Sequence, residues 1–590
     1  MTLRLRVTGT ALVAALFLSA CGDDQTQEAG TGEEEPSQEE LAEQEAAEEE
    51  ARQREAAEQA LEERAAALSG PGEEHAEQAA ELVAEMSLPQ LAGQVLMGEY
   101  SGVDGAEAAE LIEEHHLAGV IVMGHNVPAE AGEVDVERLA AELERIRSAG
   151  EGERAVAPMV SVDQEGGLVT RVGDPLTEWP TPMAYGAIPS DEAEEDPDTV
   201  VEADAAEVHH GHRQMAAELE GIGFHISFAP NADVTMGVED PTIGSRSFGS
   251  DPEAVGHLAL SGIRGLAEGG LAGSVKHFPG HGSVSEDSHD TLPVQDQSVD
   301  ELRSRDWIPF AEAAEAGVPM VMMGHLDVPD LDPGVPSSLS SAAYDEIRQM
   351  GHEGVIVTDA MNMGAIAQGY GGDQAVVDAL AAGADLLLMP ASAAGAHAAI
   401  VEAVGSEEVP EERLVEAAER VAALALWQQG LAAGALAAGP GAELADEIAP
   451  EGESLWDLDG PGVAERVAAE AVTLVEGECG VPAVEDAVQV VGGTEQDRAR
   501  FSRAAEGAGL EIGWGTVVTL LGGTTAGSGD VVVAVDRPEA LADSAAATKV
   551  GLFGRSEESF DALIEILQGA EAPGQLPVQV GEFELGHSAC

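Results

Sequence analysis

Eight short apolar runs, separated by amphipathic or glycine-rich segments, dominate residues 87–428 of the chain. Segments such as Val136–Ser148 and Ala254–Glu268 have apolar residues at helical spacing, and each lies between two runs. Short buried strands that alternate with helices are typical of a parallel sheet. Eight such units in about 340 residues predict a (β/α)8 barrel of the TIM type. The runs are Gln94–Gly98, Gly119–Met123, Pro158–Val162, His225–Phe228, Gly273–Val275, Pro319–Met323, Gly354–Thr358 and Ala384–Met389.

Polar residues follow six of these runs, at the point where each predicted strand ends. Barrels of this kind place their active sites at the carboxyl ends of the strands. The shared position therefore predicts one active site built from several strands. The clusters are Gly124-His125-Asn126, Asp163-Gln164-Glu165, Asn231-Ala232-Asp233, Lys276-His277, Gly324-His325-Leu326-Asp327 and Asp359.

The stretch 276–289 is the strongest single candidate for a functional site. It holds three His, one Lys and two carboxylates, which suit a polar pocket better than a core. Lys276 is one of only two Lys in the chain, against 24 Arg, and this indicates that a compact ammonium is needed there. A His-rich surface loop stays open as an alternative, and so does a zinc site formed by His277, His281 and His289.

The amino terminus has the features of a secretory signal peptide. Arg4 and Arg6 precede an apolar run, Ala11–Leu18, which is too short to span a membrane as a stable helix. The sequence Leu18-Ser19-Ala20-Cys21 resembles the bacterial lipobox and implies cleavage before Cys21 and lipid attachment to its sulfur. We therefore expect residues 1–21 to be a signal peptide with a lipobox. The mature protein would be exported and lipid-anchored to the outer face of the cytoplasmic membrane; a plain signal peptide is the alternative.

Residues 22–86 are rich in Glu, Ala and Gln and contain almost no aromatic or β-branched residue. Such a segment buries too little apolar surface to offset its ordering entropy, so we expect an acidic, disordered or helical spacer without a packed core. The formal net charge of the chain is −85, and most of the excess falls outside this spacer. An acidic surface with almost no Lys is typical of adaptation to high salt, and it argues against nucleic-acid binding.

A second region follows a predicted linker at residues 429–450. Five apolar runs, followed by a helical pattern at Ser559–Leu567, predict a smaller α/β domain with a parallel sheet at residues 451–590. This region shows no catalytic constellation, so a supporting role is the simplest interpretation. Its two cysteines, Cys479 and Cys590, form an even pair in an exported protein, which predicts a disulfide. The five runs are Val472–Val475, Val488–Val491, Val517–Leu521, Val531–Val535 and Val550–Phe553.

Four separate motifs resemble glycoside hydrolase family 3, and most closely its β-N-acetylglucosaminidase branch. The resemblance covers about residues 87–426 and continues more weakly through the second domain. Leu168 stands where relatives often have Arg, and Ser283 where they often have Asp. The motifs are Asp163-Gln164-Glu165-Gly166-Gly167, Gly244-Ser245-Arg246-Ser247-Phe248-Gly249, the stretch 276–293 and Val357-Thr358-Asp359-Ala360-Met361-Asn362-Met363.

The resemblance implies a role for each of seven side chains. Asp359 would be the nucleophile, and His289 the general acid/base, held by Asp287. The residues implied in binding the sugar hydroxyls are Asp163, Arg246, Lys276 and His277. No cofactor and no metal are expected.

A carboxylate nucleophile and a His–carboxylate pair fit double displacement at an anomeric carbon. A nearby carboxylate favours the protonated imidazole, which can then act as an acid toward the leaving oxygen. We expect a monomeric, retaining exo-β-N-acetylglucosaminidase that hydrolyses terminal β-linked GlcNAc from peptidoglycan fragments or chitin-type oligosaccharides. The alternatives are a phosphorylase that releases GlcNAc 1-phosphate, a family 3 β-glucosidase and a non-catalytic sugar-binding lipoprotein.

Overall fold

The computed structural model describes residues 64–152, 154–189, 205–434 and 458–590. The predicted signal peptide, the lipid attachment site Cys21 and the spacer up to residue 63 lie outside the described residues. The predicted linker from residue 435 onward and the first residues of the predicted second domain also lie outside them. Those predictions therefore stay predictions.

The strands between residues 96 and 388 form a barrel, apart from a small antiparallel hairpin at residues 129–134. The bounds are β1 (Leu96–Gly98), β2 (Gly119–Val122), β3 (Ala129–Glu130), β4 (Glu133–Val134), β5 (Met159–Val162), β6 (Ile226–Ser227), β7 (Ala272–Gly273), β8 (Val275–Phe278), β9 (Met320–Met323), β10 (Val355–Thr358) and β11 (Leu387–Leu388).

The barrel strands pair in parallel as two sheets, in the orders β11-β1-β2-β5-β6-β7 and β10-β9-β8. Two isolated bridges join these sheets. Asn231 pairs with Lys276 of β8, and Val357 of β10 pairs with Leu386 beside β11. All side chains of the four-residue strands are buried, as expected for a parallel sheet covered by helices. Seven of the eight predicted runs contain a strand, and the fifth, Gly273–Val275, overlaps the end of β7 and the start of β8.

The fifth run differs from its predicted form. The strand pauses at Ser274 and then continues as β8 through Lys276 and His277, so these residues lie within a strand and not in the loop that follows it. Both are buried, and each pairs with a buried carboxylate: Lys276 with Glu165, which follows β5, and His277 with Asp233, which follows β6. Lys276 and His277 end the apolar run in the sequence, although the strand itself continues through them, which explains the difference.

Helices follow most of the barrel strands and cover the sheet. Asp135 and Asp251 cap two of the predicted amphipathic helices by accepting backbone N–H groups of the first turn. The helices are α1 (Glu73–Val83), α2 (Leu88–Gln94), α3 (Ala106–His115), α4 (Val136–Arg147), α5 (Pro182–Ala187), α6 (Ala206–Ile222), α7 (Pro252–Glu268), α8 (Val299–Arg303), α9 (Ile308–Glu315), α10 (Ser341–Gln349), α11 (Gly364–Ala367), α12 (Gly372–Ala382), α13 (Ala393–Gly405), α14 (Glu411–Ala432), α15 (Gly460–Ala471), α16 (Glu495–Gly507) and α17 (Glu557–Leu567).

The folded body begins earlier than residue 87, the boundary predicted from composition. Ala79 and Val83 of α1 are buried, as is Leu68 in the helical residues that precede it. The indole N–H of Trp427 in α14 donates to the carbonyl of Ala67 at 2.9 Å. The last part of the predicted spacer therefore packs on the barrel, because a stripe of small residues is enough for a helix to lie against another helix.

The linker also begins later than residue 429, since α14 continues to Ala432.

The second domain is the predicted α/β unit, with two differences. Its sheet has the order β12-β17-β16-β15-β13-β14 and is parallel except at one edge, where β12 pairs antiparallel to β17. The edge strand β14 was not predicted, because two exposed residues give no apolar run. The fold class expected from the sequence is confirmed: a TIM-like barrel followed by a smaller α/β domain. The strands are β12 (Thr473–Glu476), β13 (Ala487–Gly492), β14 (Glu511–Ile512), β15 (Thr516–Leu521), β16 (Val531–Ala534) and β17 (Thr548–Gly551).

A disulfide joins Cys479 to Cys590, with Cα atoms 5.1 Å apart. The predicted pairing is thus confirmed, and it ties the carboxyl terminus to the segment that follows β12. Ala589 supports the attachment, because its N–H donates to the carbonyl of Leu474 at 2.7 Å.

The barrel and the second domain contact each other through backbone and side chains. Thr181 donates its hydroxyl to the carbonyl of Phe553 at 2.8 Å, and Ser250 donates its N–H to Pro577 at 3.0 Å. Buried apolar residues of both domains belong to one core cluster. Among the described residues, no helix has both the length and the apolar character needed to cross a membrane.

Candidate active site

Asp359 follows β10 directly, at the carboxyl end of the barrel. Its Oδ1 accepts the N–H of Ala360 at 2.7 Å, and its side chain is half-buried. Burial alone would raise the pKa of Asp359, but the nearby imidazoles of His277 and His325 and the Ala360 N–H lower it to about 2. The carboxylate is therefore ionised at any physiological pH.

His325 lies beneath this carboxylate and is fully buried. Its Nε2 is 3.0 Å from the carbonyl oxygen of Ala360, and its Nδ1 is 2.7 Å from Ser338 Oγ. Since a carbonyl can only accept, Nε2 carries the proton and Nδ1 accepts from the Ser338 hydroxyl. Burial lowers the pKa of His325, which favours this neutral ring. The ring fixes the backbone that follows Asp359.

Glu165 is the centre of a buried ion-pair network after β5. Arg246 donates to both of its oxygens, from Nε at 2.9 Å and from Nη2 at 2.8 Å. Lys276 Nζ lies 2.6 Å from Glu165 Oε1 and 3.3 Å from Asp163 Oδ1. Burial alone would raise the pKa of Glu165, but the charges of Arg246 and Lys276 hold it far below its usual range. The network holds two cations and leaves the more exposed Asp163 beside them.

Asp233 holds His277 in position from the loop after β6. Its fully buried carboxylate accepts the N–H of His277 at 3.1 Å and of His281 at 2.6 Å. Asp233 Oδ2 also lies 2.7 Å from His277 Nδ1. Since a carboxylate accepts, His277 Nδ1 carries a proton and donates it to Asp233. The other ring nitrogen, Nε2, is not used in this contact.

His289 and Asp287 lie in a turn that we call the acid/base loop, residues 287–290. Asp287 Oδ1 accepts the N–H of His289 at 2.9 Å and lies 2.7 Å from its Nδ1. The two side chains remain 67% and 42% exposed. Between them Ser288 is buried, with its Oγ 3.0 Å from His281 Nε2. The loop is thus anchored at Ser288 and presents an oriented imidazole to the solvent side of the site.

The structure brings five of the seven expected residues into one buried or half-buried cluster and places the other two on the adjoining loop. The sequence placed Glu165, Asp233 and His325 in the polar clusters expected to build the site, after β5, β6 and β9, but it assigned them no role and so missed that they hold other site residues in position. It also missed Arg171, whose Nη2 lies 3.7 Å from Asp163 Oδ2. Among the described residues, no group of three or more His, Cys, Asp or Glu is arranged to hold a metal ion.

A half-buried carboxylate at the end of a barrel strand, with a His–carboxylate pair beside it, supplies the nucleophile and the proton donor that double displacement at an anomeric carbon needs. The model of the glycosyl hydrolase family 3 N-terminal domain matches residues 80–424, which is more than half of the chain. The chain belongs to glycosyl hydrolase family 3 and is a glycoside hydrolase. The match begins within α1, in agreement with the packing of that helix.

Relatives and solved structures agree with this assignment. The chain is 29% identical over 300 residues to beta-hexosaminidase A of Pseudoalteromonas piscicida, covering 48% of this chain and 47% of that protein. It is 33% identical to a beta-hexosaminidase of Xylella fastidiosa, covering 50% of this chain and 82% of the relative. The structure of a family 3 beta-N-acetylglucosaminidase from Paenibacillus sp. str. FPU-7 is similar at 25% identity, with a TM-score of 0.70. That similarity covers 84% of this chain and 99% of the other.

Proposed function

We propose that this protein is a retaining exo-β-N-acetylglucosaminidase that removes terminal β-linked GlcNAc from peptidoglycan fragments or chitin-type oligosaccharides. The observation that carries the proposal is the pairing of an ionised Asp359 with an imidazole, His289, that a carboxylate orients. The names of the similar proteins support the sugar: two are beta-hexosaminidases and one is a beta-N-acetylglucosaminidase.

In the first step Asp359 attacks the anomeric carbon and forms a covalent glycosyl-enzyme. The bond to the leaving oxygen breaks with its electron pair, and His289 delivers a proton to that oxygen from Nε2. The low pKa of Asp359 keeps the nucleophile charged. Asp287 at 2.7 Å stabilises the imidazolium before the transfer and fixes the ring orientation.

In the second step the roles of the ring reverse. The neutral His289 takes a proton from water, whose oxygen attacks the anomeric carbon while Asp359 leaves. Two inversions give net retention of configuration. Lys276, Arg246 and Asp163 supply charged hydrogen-bonding groups for the sugar hydroxyls, and His277 supplies an imidazole nitrogen. Because Glu165 and Asp233 hold three of these four side chains, the site is organised before substrate binds.

Phosphorolysis, in which phosphate and not water attacks the glycosyl-enzyme, is the second candidate reaction. It is compatible with a histidine as the acid/base. A carboxylate base would repel an incoming phosphate dianion, whereas a neutral imidazole does not. The strong negative charge of the chain opposes phosphate approach at low salt. We therefore favour hydrolysis.

Product analysis decides between the two. The protein is incubated with a β-linked GlcNAc disaccharide in about 50 mM phosphate, where Debye screening is already substantial. Free GlcNAc with retained configuration supports the proposal. Mostly GlcNAc 1-phosphate overturns the hydrolase part, and no cleavage of any GlcNAc substrate overturns the sugar assignment.

We also propose export and a lipid anchor on Cys21, on the basis of the sequence resemblance to a lipobox. Metabolic labelling with a radioactive fatty acid tests the anchor. Wild-type protein should take up label in the membrane fraction, and Cys21→Ser should not. The anchor would be contradicted if wild type and Cys21→Ser were labelled equally, or if neither protein took up label.

A further inference from the structure

We infer that Gly364 and Gln368 are positioning residues that dock the acid/base loop onto the segment following the nucleophile. Neither residue was predicted to belong to the site, and neither touches the reacting atoms. The inference rests on the proposed function, because it assigns these residues to the placement of His289 relative to Asp359.

Three successive carbonyl groups of the acid/base loop accept hydrogen bonds from residues just after the nucleophile. The carbonyl of Ser288 accepts the N–H of Ala365 at 3.2 Å, and that of His289 accepts the N–H of Gly364 at 3.0 Å. The carbonyl of Asp290 accepts from Gln368 Nε2 at 2.8 Å. The loop is therefore tied to the chain that starts at Asp359 by its backbone, independently of its own side chains.

Gly364 is the point of closest approach. A Cβ at this position would lie 2.5 Å from the carbonyl oxygen of His289 and 2.8 Å from that of Asp290. Both neighbours are backbone atoms, so the loop itself would have to move. The backbone of Gly364 lies outside the left-handed region, and hence this glycine is needed for space and not for its conformation.

The same contacts also serve α11, whose first N–H groups need acceptors. The residue before the helix, Met363, offers no capping side chain, and the loop carbonyls take its place.

On its other side the acid/base loop is held by the contact between Ser288 and His281. Docking on two sides fixes the backbone of His289 while its ring stays exposed. A change that loosens the α11 side should misplace the acid/base without touching Asp359.

The test compares Gly364→Ala with a matched control, Gly369→Ala. Gly369 lies five residues further on, and a Cβ there meets nothing within 4 Å. A second pair is Gln368→Ala with Gln374→Ala, since the amide of Gln374 contacts only the surface carboxylates Asp378 and Glu408 in the described structure. The kcat/KM values are measured on 2,4-dinitrophenyl β-GlcNAc, which needs no acid, and on a β-linked GlcNAc disaccharide, which does.

Gly364→Ala and Gln368→Ala should lose roughly tenfold or more in kcat/KM on the disaccharide, because general acid catalysis contributes about 10²–10⁴-fold. Both should keep most of their kcat/KM on the dinitrophenyl glycoside. The two controls should match wild type on both substrates. Equal losses on the two substrates, or wild-type values for both loop variants, would overturn the inference.

Hydrogen exchange provides a readout that needs no turnover. The amides of Gly364 and Ala365 should be protected in the wild-type protein, and peptides covering the acid/base loop should exchange faster in Gly364→Ala and Gln368→Ala but not in the controls. Unchanged exchange in both loop variants would contradict docking. If the wild-type protein cleaves no GlcNAc substrate, the proposed function fails while the exchange experiment still decides whether the loop is docked.

Discussion

Lys276 Nζ lies 2.6 Å from Glu165 Oε1, and both side chains are almost completely buried, at 2% and 1% exposure. Arg246 binds the same carboxylate through two hydrogen bonds. A buried charge without its partner is costly, so each member of this trio depends on the other two. The trio joins β5, the loop that contains Arg246 and β8, and thereby sets the geometry of the expected sugar-binding groups.

Replacing Lys276 by Arg tests whether the buried position beside Glu165 requires a compact ammonium group. A guanidinium is wider and planar, and the buried position leaves it no room to turn outward. We expect a lower melting temperature and a loss of up to about 10²-fold in kcat/KM, since a displacement of about 1 Å can cost that much. Lys549→Arg is the control for burial alone, because Lys549, the only other lysine, is also buried but pairs with the half-exposed Glu476 of the second domain; this variant should keep the wild-type kcat/KM. Wild-type kinetics and melting in Lys276→Arg would contradict the prediction.

The ionised state of Asp359 predicts a specific dependence of stability on pH. Its pKa is about 2 in the folded protein, against the ordinary value of 3.8 for an aspartate carboxyl. The lowered pKa means that the charged form stabilises the fold above about pH 4, by roughly 2 kcal/mol. This contribution is lost as the pH falls from about 4 toward 2. In urea unfolding, the free-energy difference between wild type and Asp359→Asn should shrink over that interval, whereas a constant difference would contradict the lowered pKa.

Much of the fold could be predicted from the sequence because its strongest signals are local. Short apolar runs mark the barrel strands, polar residues follow six of the eight runs, and Asp359 stands directly after one of them. The antiparallel pairing of β12 with β17 could not be predicted, since it depends on which edge of the second-domain sheet is left open by the other strands. The packing of α1 was missed because Ala79 and Val83 lie among many Ala and Glu that look solvated.

The location of the candidate site could also be predicted from the sequence, but the roles of several of its residues could not. Lys276 was singled out by its rarity and His277 by the composition of its stretch, whereas Glu165, Asp233 and His325 were placed at the site only by their position after strands, without a role. Their roles depend on contacts between distant parts of the chain, such as the 113 positions that separate Lys276 from Asp163. Side chains that hold others in position give no signal of their own in a single sequence.

Arg537 of the second domain should be worth more to stability than an ordinary surface arginine. It is buried, it donates to the carbonyl of Gly237 at 2.8 Å, and it lies 3.3 Å from the buried Glu539. Arg537→Ala leaves Glu539 without this partner, so we expect a loss of about 3 kcal/mol. Arg503→Ala is the control, because its pair with Glu557 is more than half exposed and is worth at most about 1 kcal/mol. Equal losses in chemical denaturation would contradict the prediction.

The disulfide between Cys479 and Cys590 should stabilise the second domain. The cysteines are 111 positions apart, and closing a loop of this size contributes ~4–5 kcal/mol in the chain-entropy model. Cys479→Ser and Cys590→Ser should lower the melting temperature equally, and the double variant should lose nothing more. A further loss in the double variant would show that the two sulfurs act separately.

The covalent glycosyl-enzyme on Asp359 is the most direct test of the proposed mechanism. In His289→Ala the second step lacks its base, so 2,4-dinitrophenyl β-GlcNAc should load the enzyme faster than water releases it. Mass spectrometry of the protein quenched during turnover should then find one N-acetylhexosaminyl group, on the peptide that contains Asp359. The adduct should be absent from Asp359→Ala. An adduct on another residue, or turnover by Asp359→Ala at the wild-type rate, would contradict the mechanism.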